Sequence, residues 1–204
     1  MGAVASKVCN DARPTTTMEG FLIMQVNITK LLAANIFAST EHVRYYLNGV
    51  LFEVSEGKAR IVATDGQRMI IFDLEGDEFG EDQSFIIPSS LIKRIKAERK
   101  TDIAGMTIKD GIISIEYAGA VFSEKAINGT YPDYRRIMIP DDKKQEFTPE
   151  IRFNPSYLGD FAKVNKILGR AKSSIVMTTY SAEEPVKVTN RYGDYTAILM
   201  PMRA

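Results

Sequence analysis

The stretch FLIMQVNITKLLAANIFAS, residues 21–39, decides the fold, because an apolar run passes directly into a segment with helical spacing. Its first part is typical of a buried strand, which needs only a short continuous apolar run. The helical positions are Ile28, Leu31, Leu32 and Ile36. Side chains three and four residues apart lie on one helix face, so the pattern predicts a strand that leads straight into a helix.

Three further β-like runs follow this helix. They are VLFEVS (50–55), ARIVAT (59–64) and QRMIIFDL (67–74). Glu56-Gly57 and Asp65-Gly66 join them, and Asp-Gly between apolar runs is a strong signal for a tight turn between antiparallel strands. One unit is therefore strand–helix–strand–strand–strand.

The same order of elements recurs twice, which predicts a repeat architecture. The second copy has a strand at 84–88, a helix in SLIKRIKAERK (90–100) capped by Ser89 or Ser90, and strands at 103–109, 111–117 and 120–126. The third has FTPEIRF (147–153), a helix that Asn154-Pro155 begins and that runs on through SYLGDFAKVNKILGRAKS (156–173), and strands at 175–181, 186–190 and 194–201.

These patterns predict an α+β fold of three βαβββ half-domain repeats, with helices on one face of antiparallel sheets. The expected organisation is a flexible leader (1–20), a complete domain (21–139, with halves 21–82 and 83–139), a linker (140–146) and a half-domain (147–204). We expect the two fused units to form one larger sheet that carries both helices on one face. The third unit has no sister within the chain.

Composition narrows the function classes. The 204 residues hold 26 Lys+Arg and 26 Asp+Glu, a net charge of zero that argues against binding DNA by bulk positive charge. One Cys, one His and no Trp leave little from which to build a zinc site or a nucleophile system. We therefore predict no metal, no cofactor and no catalysis. No apolar run suits a signal peptide or membrane span, and a cytoplasmic protein is expected.

The balanced charge is nevertheless segregated along the chain. Residues 73–82 hold six acids and no base, whereas bases dominate the second and third predicted helices. Such helices are commonly ordinary solvated faces. Because they occupy equivalent positions of a repeat, they could also form one positive surface that meets phosphates without reading bases. The candidate DNA-facing residues on these helices are Lys93, Arg94, Lys96, Lys163, Lys166 and Arg170.

Three stretches carry a resemblance to a known family. VRYYLNGVLFEV and VATDGQRM within 43–69, YPDYRRIM (131–138) and AILMPMRA (197–204) resemble the bacterial DNA polymerase III β subunit, the replicative sliding clamp. Residues 21–138 resemble its middle domain, and 147–204 resemble the second half of its third domain. The resemblance implies the DNA-clamp fold and a processivity factor that encircles duplex DNA without sequence specificity and tethers the polymerase.

The resemblance also implies a pocket for short partner peptides with hydrophobic ends, contributed by the polymerase and the clamp loader. The implied residues are Leu47, Thr64, Gly66, Arg68, Met69, Pro132, Arg136, Ile137, Asn154, Tyr157, Ile198, Leu199, Met200, Pro201, Met202 and Arg203. Leucine, methionine and isoleucine suit an adaptable apolar wall, and an arginine suits orientation of a peptide. For each apolar member alone, core packing is the competing explanation.

The sequence departs from the family pattern at several positions. Gln67 stands where the family usually has His, Met69 where Leu is usual, and Ala204 replaces a larger apolar residue. Tyr45 and Tyr46 match DNA-contacting residues of the family, and they could equally be packing residues. These departures leave the peptide preference open.

The resemblance leaves one and a half clamp domains unaccounted for. We expect two chains to pair through their third units into a composite, two-fold symmetric domain, and two such dimers to close a tetrameric ring. An abbreviated clamp suggests a phage or mobile-element origin. Two other classes stay open: a non-encircling decoy or regulator that keeps the peptide pocket, and a nuclease that holds Mg²⁺ through acids such as Asp73, Glu75, Asp77 and Glu81.

Overall fold

The structure, a computed structural model, describes residues 14–18, 21–74, 79, 81–97, 103–139, 151–179 and 184–202. In these ranges the first half-unit contains β1 (Pro14–Met18), β2 (Phe21–Asn27), α1 (Ile28–Asn35), β3 (Gly49–Ser55), β4 (Lys58–Thr64) and β5 (Arg68–Leu74). The second contains β6 (Gln83–Pro88), α2 (Ser89–Arg94), β7 (Ile103–Lys109), β8 (Ile112–Tyr117) and β9 (Ala120–Lys125). The third contains α3 (Pro155–Ile167), β10 (Ile175–Thr178), β11 (Val186–Asn190) and β12 (Thr196–Leu199). The predicted α+β class and the order of its elements from β2 to β9 are confirmed.

The strands form two antiparallel sheets and not the one larger sheet expected from two fused units. The five-stranded sheet has the order β1-β2-β7-β8-β9, and the seven-stranded sheet has the order β10-β11-β12-β5-β4-β3-β6. The difference arises because the strand that leads into the helix of each half-unit, β2 or β6, belongs to the sheet of the other half-unit. β2 pairs with β7, and β6 pairs with β3.

The third half-unit joins the first through a strand pairing that the sequence analysis did not anticipate. β12 lies antiparallel to β5, with Ala197 opposite Ile70 and Ile198 opposite Met69. The backbone ladder therefore runs without interruption from the third half-unit into the complete domain.

Two tight turns follow the sequence signals closely. Glu56-Gly57 and Asp110-Gly111 place both residues at positive φ, between 51° and 74°. Positive φ at both central residues is the geometry that matches the twist of a two-residue hairpin. These turns explain why the predicted strand boundaries near them were accurate.

The three helices lie side by side in the order α2, α1, α3, with α1 in contact with both of the others. Their buried faces share one core with the inner faces of the sheets, around Phe37, Phe52, Phe72 and Phe161. No helix in the described ranges is both long and apolar enough to cross a membrane.

The helix ends differ in part from the expectations. Asn154 caps α3 as predicted, its side chain accepting a hydrogen bond of 3.0 Å from the Ser156 N–H. α2 is shorter than predicted: it ends at Arg94, and its N-cap is Pro88, which makes no side-chain cap, so neither Ser89 nor Ser90 caps it. α3 ends at Ile167, which leaves Arg170 beyond the helix.

Two segments expected from sequence are also corrected. Residues 14–18 form β1, which pairs with β2, so the predicted flexible leader contains a strand. Residues 151–153 form no strand of their own, although 147–153 was predicted as one. Residues 140–150, which include the predicted linker, lie outside the described residues.

The first testable prediction concerns the shared core. Phe161 of α3 is fully buried, 5.5 Å from Phe37 and 6.3 Å from Tyr195 between ring centroids. Phe161→Ala should lower the free energy of unfolding by about 3–5 kcal/mol, because it leaves a cavity where α3 meets α1. Urea unfolding followed by circular dichroism measures this loss. Val121→Ala, at an exposed position of β9, should change it by less than about 0.5 kcal/mol; equal losses would contradict a core shared by α3.

Candidate functional site

The loop between β4 and β5 is a closed turn built from the predicted ATDGQRM motif. The Thr64 hydroxyl donates to the Arg68 carbonyl at 2.7 Å and accepts from the Gly66 N–H at 3.0 Å. Asp65 Oδ1 accepts from the N–H groups of Gln67 and Arg68 at 2.9 and 3.1 Å. These bonds fix the loop, residues 64–68, in one conformation.

The backbone conformation of this loop favours glycine at position 66. Its φ is +91°, a conformation that side chains rarely adopt. A Cβ at this position would also lie 2.5 Å from Arg44 Nη1, so the Arg44 side chain would have to move away from the loop. Arg44 donates through Nη2 to the Asp65 carbonyl at 3.3 Å and pairs with Glu41, so it holds the segment 41–47 against the loop.

Three other predicted segments meet the same end of the sheet. The Thr64 N–H donates to Tyr131 Oη at 3.0 Å, and burial raises the pKa of this tyrosine. The Met200 N–H donates to the Gln67 carbonyl at 3.0 Å. Residues 43–47, 131–138 and 198–202, far apart in sequence, are therefore gathered around the loop 64–68.

Arg68 is the centre of the junction between the complete domain and the third half-unit. Only 9% exposed, it donates through Nε to Asp65 Oδ2 at 3.1 Å, through Nη1 to Asp160 of α3, and through Nη2 to the Ile36 carbonyl at 3.3 Å. Its guanidinium lies over the rings of Phe37 and Tyr157, 4.6 and 4.7 Å from their centroids. Each of the three guanidinium nitrogens of Arg68 donates to a partner within the chain, and its orientation of a peptide stays a prediction.

Asp160 was not singled out from the sequence as a site residue. Burial raises the pKa of Asp160, but the hydrogen bonds from Lys163 and Arg68 outweigh burial and hold the pKa below its ordinary value. The one signal available was its position as a lone acid in an otherwise basic helix.

The apolar pocket candidates divide between two faces of the sheet. Met69 and Ile198 are register neighbours on the face away from the helices, where they join a buried group that we call the outer cluster. Its members are Leu51, Val62, Met69, Ile71, Ile86, Tyr134 and Ile198. Leu199 points to the opposite face and is fully buried in the main core. Core packing therefore accounts for Leu199, and Leu47 is also buried.

Several of the remaining candidates are accessible, and we call the exposed apolar pair Ile137 and Met202 the accessible margin. Ile137 and Met202 are 44% and 55% exposed, Pro132 and Arg136 are exposed, and Met200 and Pro201 are half-buried. Asn154 caps α3, and Tyr157 stacks on Arg68. Arg203 lies outside the described residues.

The segment 131–139 covers the outer cluster and is anchored by Glu53, another residue that sequence reasoning missed. Glu53 accepts from Tyr134 Oη at 2.6 Å and from Arg135 Nη2 at 2.7 Å. Burial raises the pKa of Glu53, but hydrogen bonds from Arg135 and Tyr134 bring the pKa below its ordinary value. A groove of about 640 Å³ beside this anchor contains only Pro132 from the predicted pocket.

The candidate DNA-facing cations are exposed, and several already have carboxylate partners. Arg94 pairs with Glu124 at 3.2 Å, Lys163 with Asp160 at 2.5 Å, and Arg170 with Asp194 at 3.4 Å. Lys93, Lys96 and Lys166 are exposed, but Lys96 lies two residues beyond the end of α2 and not on the helix as predicted. Tyr45 is half-exposed, whereas Tyr46 packs beside the outer cluster, so packing explains at least part of the role of Tyr46.

The acids considered for a nuclease do not form a recognisable metal site. Asp73 pairs with Arg60 at 2.7 Å, Glu81 is exposed, and Glu75 and Asp77 lie outside the described residues. In the part of the chain that the structure describes, no three Asp, Glu, His or Cys side chains cluster as metal ligands would.

Comparisons with known proteins agree with this architecture. A family model, the DNA polymerase III beta subunit, central domain, matches residues 23–133. The beta sliding clamps of Proteus mirabilis and Escherichia coli (strain K12) are 30% identical over 130 residues and 31% identical over 129 residues. Each match covers 61% of this chain and 35% of the relative. The chain thus spans about a third of the length of the curated relatives it matches.

Solved structures extend the likeness into the third half-unit. A DNA polymerase sliding clamp from Pseudomonas aeruginosa superposes with a TM-score of 0.70 at 18% identity, over 93% of this chain and 76% of that one. The DNA polymerase III beta chain from Streptococcus pneumoniae gives 0.73 at 17% identity, over 100% and 69%. The DNA-clamp fold predicted from sequence is therefore confirmed.

The ion pair at the junction predicts an acid-sensitive stability. The pKa of Asp160 is depressed, so its charge stabilises the fold above the ordinary value of 3.8, and this contribution is lost as pH falls through the folded-state pKa. Asp160→Asn should lower the free energy of unfolding by about 1.5–3 kcal/mol at pH 7. It should also flatten the decline of that free energy below pH 4, measured by urea unfolding across pH. The control is Asp110→Asn, in an exposed turn, which should keep the steep decline of the free energy of unfolding below pH 4. If the control also flattens this decline, the pH dependence comes from carboxylates other than Asp160.

Proposed function

Because the chain belongs to the DNA polymerase III beta subunit family, the family of bacterial sliding clamps, we propose that it is a non-catalytic processivity factor. It would hold a polymerase on duplex DNA by binding a short polymerase peptide at the junction around Arg68, while its helix layer faces DNA. The observation that carries this proposal is the convergence of three distant segments on the loop 64–68.

The junction suits a peptide with hydrophobic ends. Met69 and Ile198 are buried and can only support the site from within, whereas Ile137 and Met202 leave apolar surface accessible. Unbranched methionine side chains adapt to different apolar partners. This fixed support and the adaptable margin favour recognition of short apolar motifs from more than one protein, such as a polymerase and a clamp loader.

The helix layer suits loose contact with a polyanion. Exposed Lys93, Lys96 and Lys166 can meet phosphates, whereas the carboxylates beside Arg94, Lys163 and Arg170 reduce the local positive charge. Phosphate contacts carry no sequence information, and few of them give weak, salt-sensitive binding. Weak binding without sequence preference is what a protein that slides along DNA requires.

The ion pairs of Arg94, Lys163 and Arg170 with carboxylates also favour a second candidate function. If the helix layer is too neutral to engage DNA, the same junction would make the chain a non-encircling regulator that binds clamp-partner peptides. The two functions share the peptide site and differ in DNA binding, so separate measurements of the two activities distinguish them.

For peptide binding, we predict that Ile137→Asp combined with Met202→Asp weakens affinity at least about tenfold, because charge replaces the accessible apolar margin. The probe is a fluorescein-labelled peptide with leucine near one end and phenylalanine at the other, followed by fluorescence anisotropy. The matched control is Ile112→Asp with Val121→Asp, two exposed apolar positions on β8 and β9. Equal weakening by both pairs would place the peptide elsewhere.

For DNA binding, we predict that reversing Lys93, Lys96, Lys163 and Lys166 to Glu abolishes association with a short duplex at low salt. The unmodified chain should bind two duplexes of unrelated sequence equally, with affinity that falls steeply as salt rises. The control reverses the strand lysines Lys58, Lys109, Lys125 and Lys187, which changes net charge by the same amount.

Three outcomes separate the candidates. Loss of DNA binding by the helix variant alone supports the clamp function. Equal loss in both variants indicates bulk charge and contradicts a helix-layer site. Peptide binding without any duplex association at low salt favours the regulator.

A further inference from the structure

The complete domain follows a rule of strand exchange. The strand that leads into each helix pairs with the first of the three strands in the other half-unit, never with its own. In both pairings, the residue just before the helix lies opposite the first residue of the partner strand. Asn27 lies opposite Ile103 of β7, and Pro88 lies opposite Gly49 of β3. Because two independent pairings follow the same rule, we transfer the choice of partner strand to the third half-unit.

The helix starts align the third half-unit with the second. α3 begins at Pro155 as α2 begins at Ser89, so Arg152 corresponds to Ile86 when both are counted back from the helix. By this count, residues 151–153 occupy the place of the central part of β6.

The backbone supports this correspondence independently. The Ile86 carbonyl accepts a hydrogen bond of 3.1 Å from the Ile127 N–H, two residues beyond β9. The Arg152 carbonyl accepts a bond of 2.7 Å from the Met202 N–H, three residues beyond β12. In each half-unit the leading segment is thus bonded on one side by the chain that follows its own last strand. In the second half-unit the other side of that segment pairs with β3.

β10 is the strand that corresponds to β3. Val50 and Phe52 of β3 face the main core, and Ile175 and Met177 of β10, also two residues apart, pack against the same core. β3 is covered by β6, whereas β10 ends the seven-stranded sheet with no described strand on its outer side. Val176, between the two core-facing residues, is 49% exposed.

The helix layer is open at the same place. α1 is flanked by α2 on one side and α3 on the other, and its Leu31 and Ala33 are fully buried. On α3, Leu158, Ile167 and the adjoining Leu168 are only half-buried. Within the described residues, α1 is the helix that α3 contacts closely.

We propose that a second copy of this chain completes the third half-unit by reciprocal strand exchange. The segment 151–153 of each copy covers β10 of the other, and the two α3 helices pack together as α1 and α2 do. Directly opposed residues of two paired strands lie on the same face, so core-facing Phe153 is placed opposite core-facing Ile175. Arg152 then lies opposite Val176 and Ile151 opposite Met177, a register shifted by one residue from that of the complete domain.

A second copy is the occupant that the geometry selects. The third half-unit contains both partners of the missing pairing, the leading segment 151–153 and the first strand β10. A two-fold axis between two copies therefore pairs the segment of each copy with β10 of the other. Within one chain, β11 separates β10 from β12 and from the segment bonded beyond β12. This dimer goes beyond the proposed function, since it requires neither DNA nor a peptide.

Cysteine cross-linking tests the register. In a Cys9→Ser background, Arg152→Cys combined with Val176→Cys should form intermolecular disulfides, because directly opposed residues lie about 4.5–5.5 Å apart between Cα atoms, within disulfide range. A non-reducing gel should show a band at twice the chain mass of 22.8 kDa. Each single cysteine should give none, because the exchange opposes residue 152 to residue 176 and not to itself. Absence of the band in the double variant, or equal bands in the singles, overturns the register.

Sedimentation tests the interface without added cysteines. The full chain should sediment as a dimer at tens of micromolar, and Phe153→Asp should weaken dimerisation about tenfold or more by placing a charge in the apolar contact. Val121→Asp, on the outer strand of the other sheet, should leave the dimer intact. Circular dichroism verifies that both variants fold. A monomeric full chain, or dissociation by Val121→Asp in place of Phe153→Asp, overturns the proposal, while peptide and DNA binding are scored separately.

Discussion

The exchange of leading strands between half-units is the constraint on which the rest of the structure depends. Because β2 lies on β7 and β6 lies on β3, neither half of the complete domain can bury its own sheet edge alone. The exchange produces two sheets, and it forces both sheets to share one layer of helices and one core. The edges that remain are therefore determined by connectivity and not by local sequence.

The junction between β5 and β12 is the second consequence of this architecture. The candidate peptide site consists of residues that also hold the third half-unit in place: Met69 and Ile198 face each other in the ladder, and Arg68 reaches α3 through Asp160. The candidate peptide site therefore depends on the contact between the complete domain and the third half-unit. A buried arginine that donates to three partners gives that joint a fixed geometry, which a recognition surface needs if little ordering energy is to be lost on binding.

Local structure could be predicted from the sequence wherever one short segment carries its own signal. Asp110-Gly111 gave the hairpin, and Asn154-Pro155 gave the start of α3. The partner sheet of a strand could not be predicted, because β6 is apolar on both faces and its pattern fits either sheet. The role of Arg68 was missed for a similar reason: its motif contains Asp65, but Asp160 lies 92 residues away. α2 was overestimated because lysine and arginine favour helix to a similar degree within and beyond its end.

The strand exchange also has an arithmetical consequence. Half-units exchange their leading strands in reciprocal pairs, so every first strand in a set of half-units is covered only when the number of half-units is even. Covalent boundaries do not enter this count: a break between two half-units changes which strands are linked, but not which strands must meet. Assemblies of this fold can therefore distribute their half-units over chains of different lengths. Because this chain has three half-units, an assembly contains an even number of half-units whenever it contains an even number of chains.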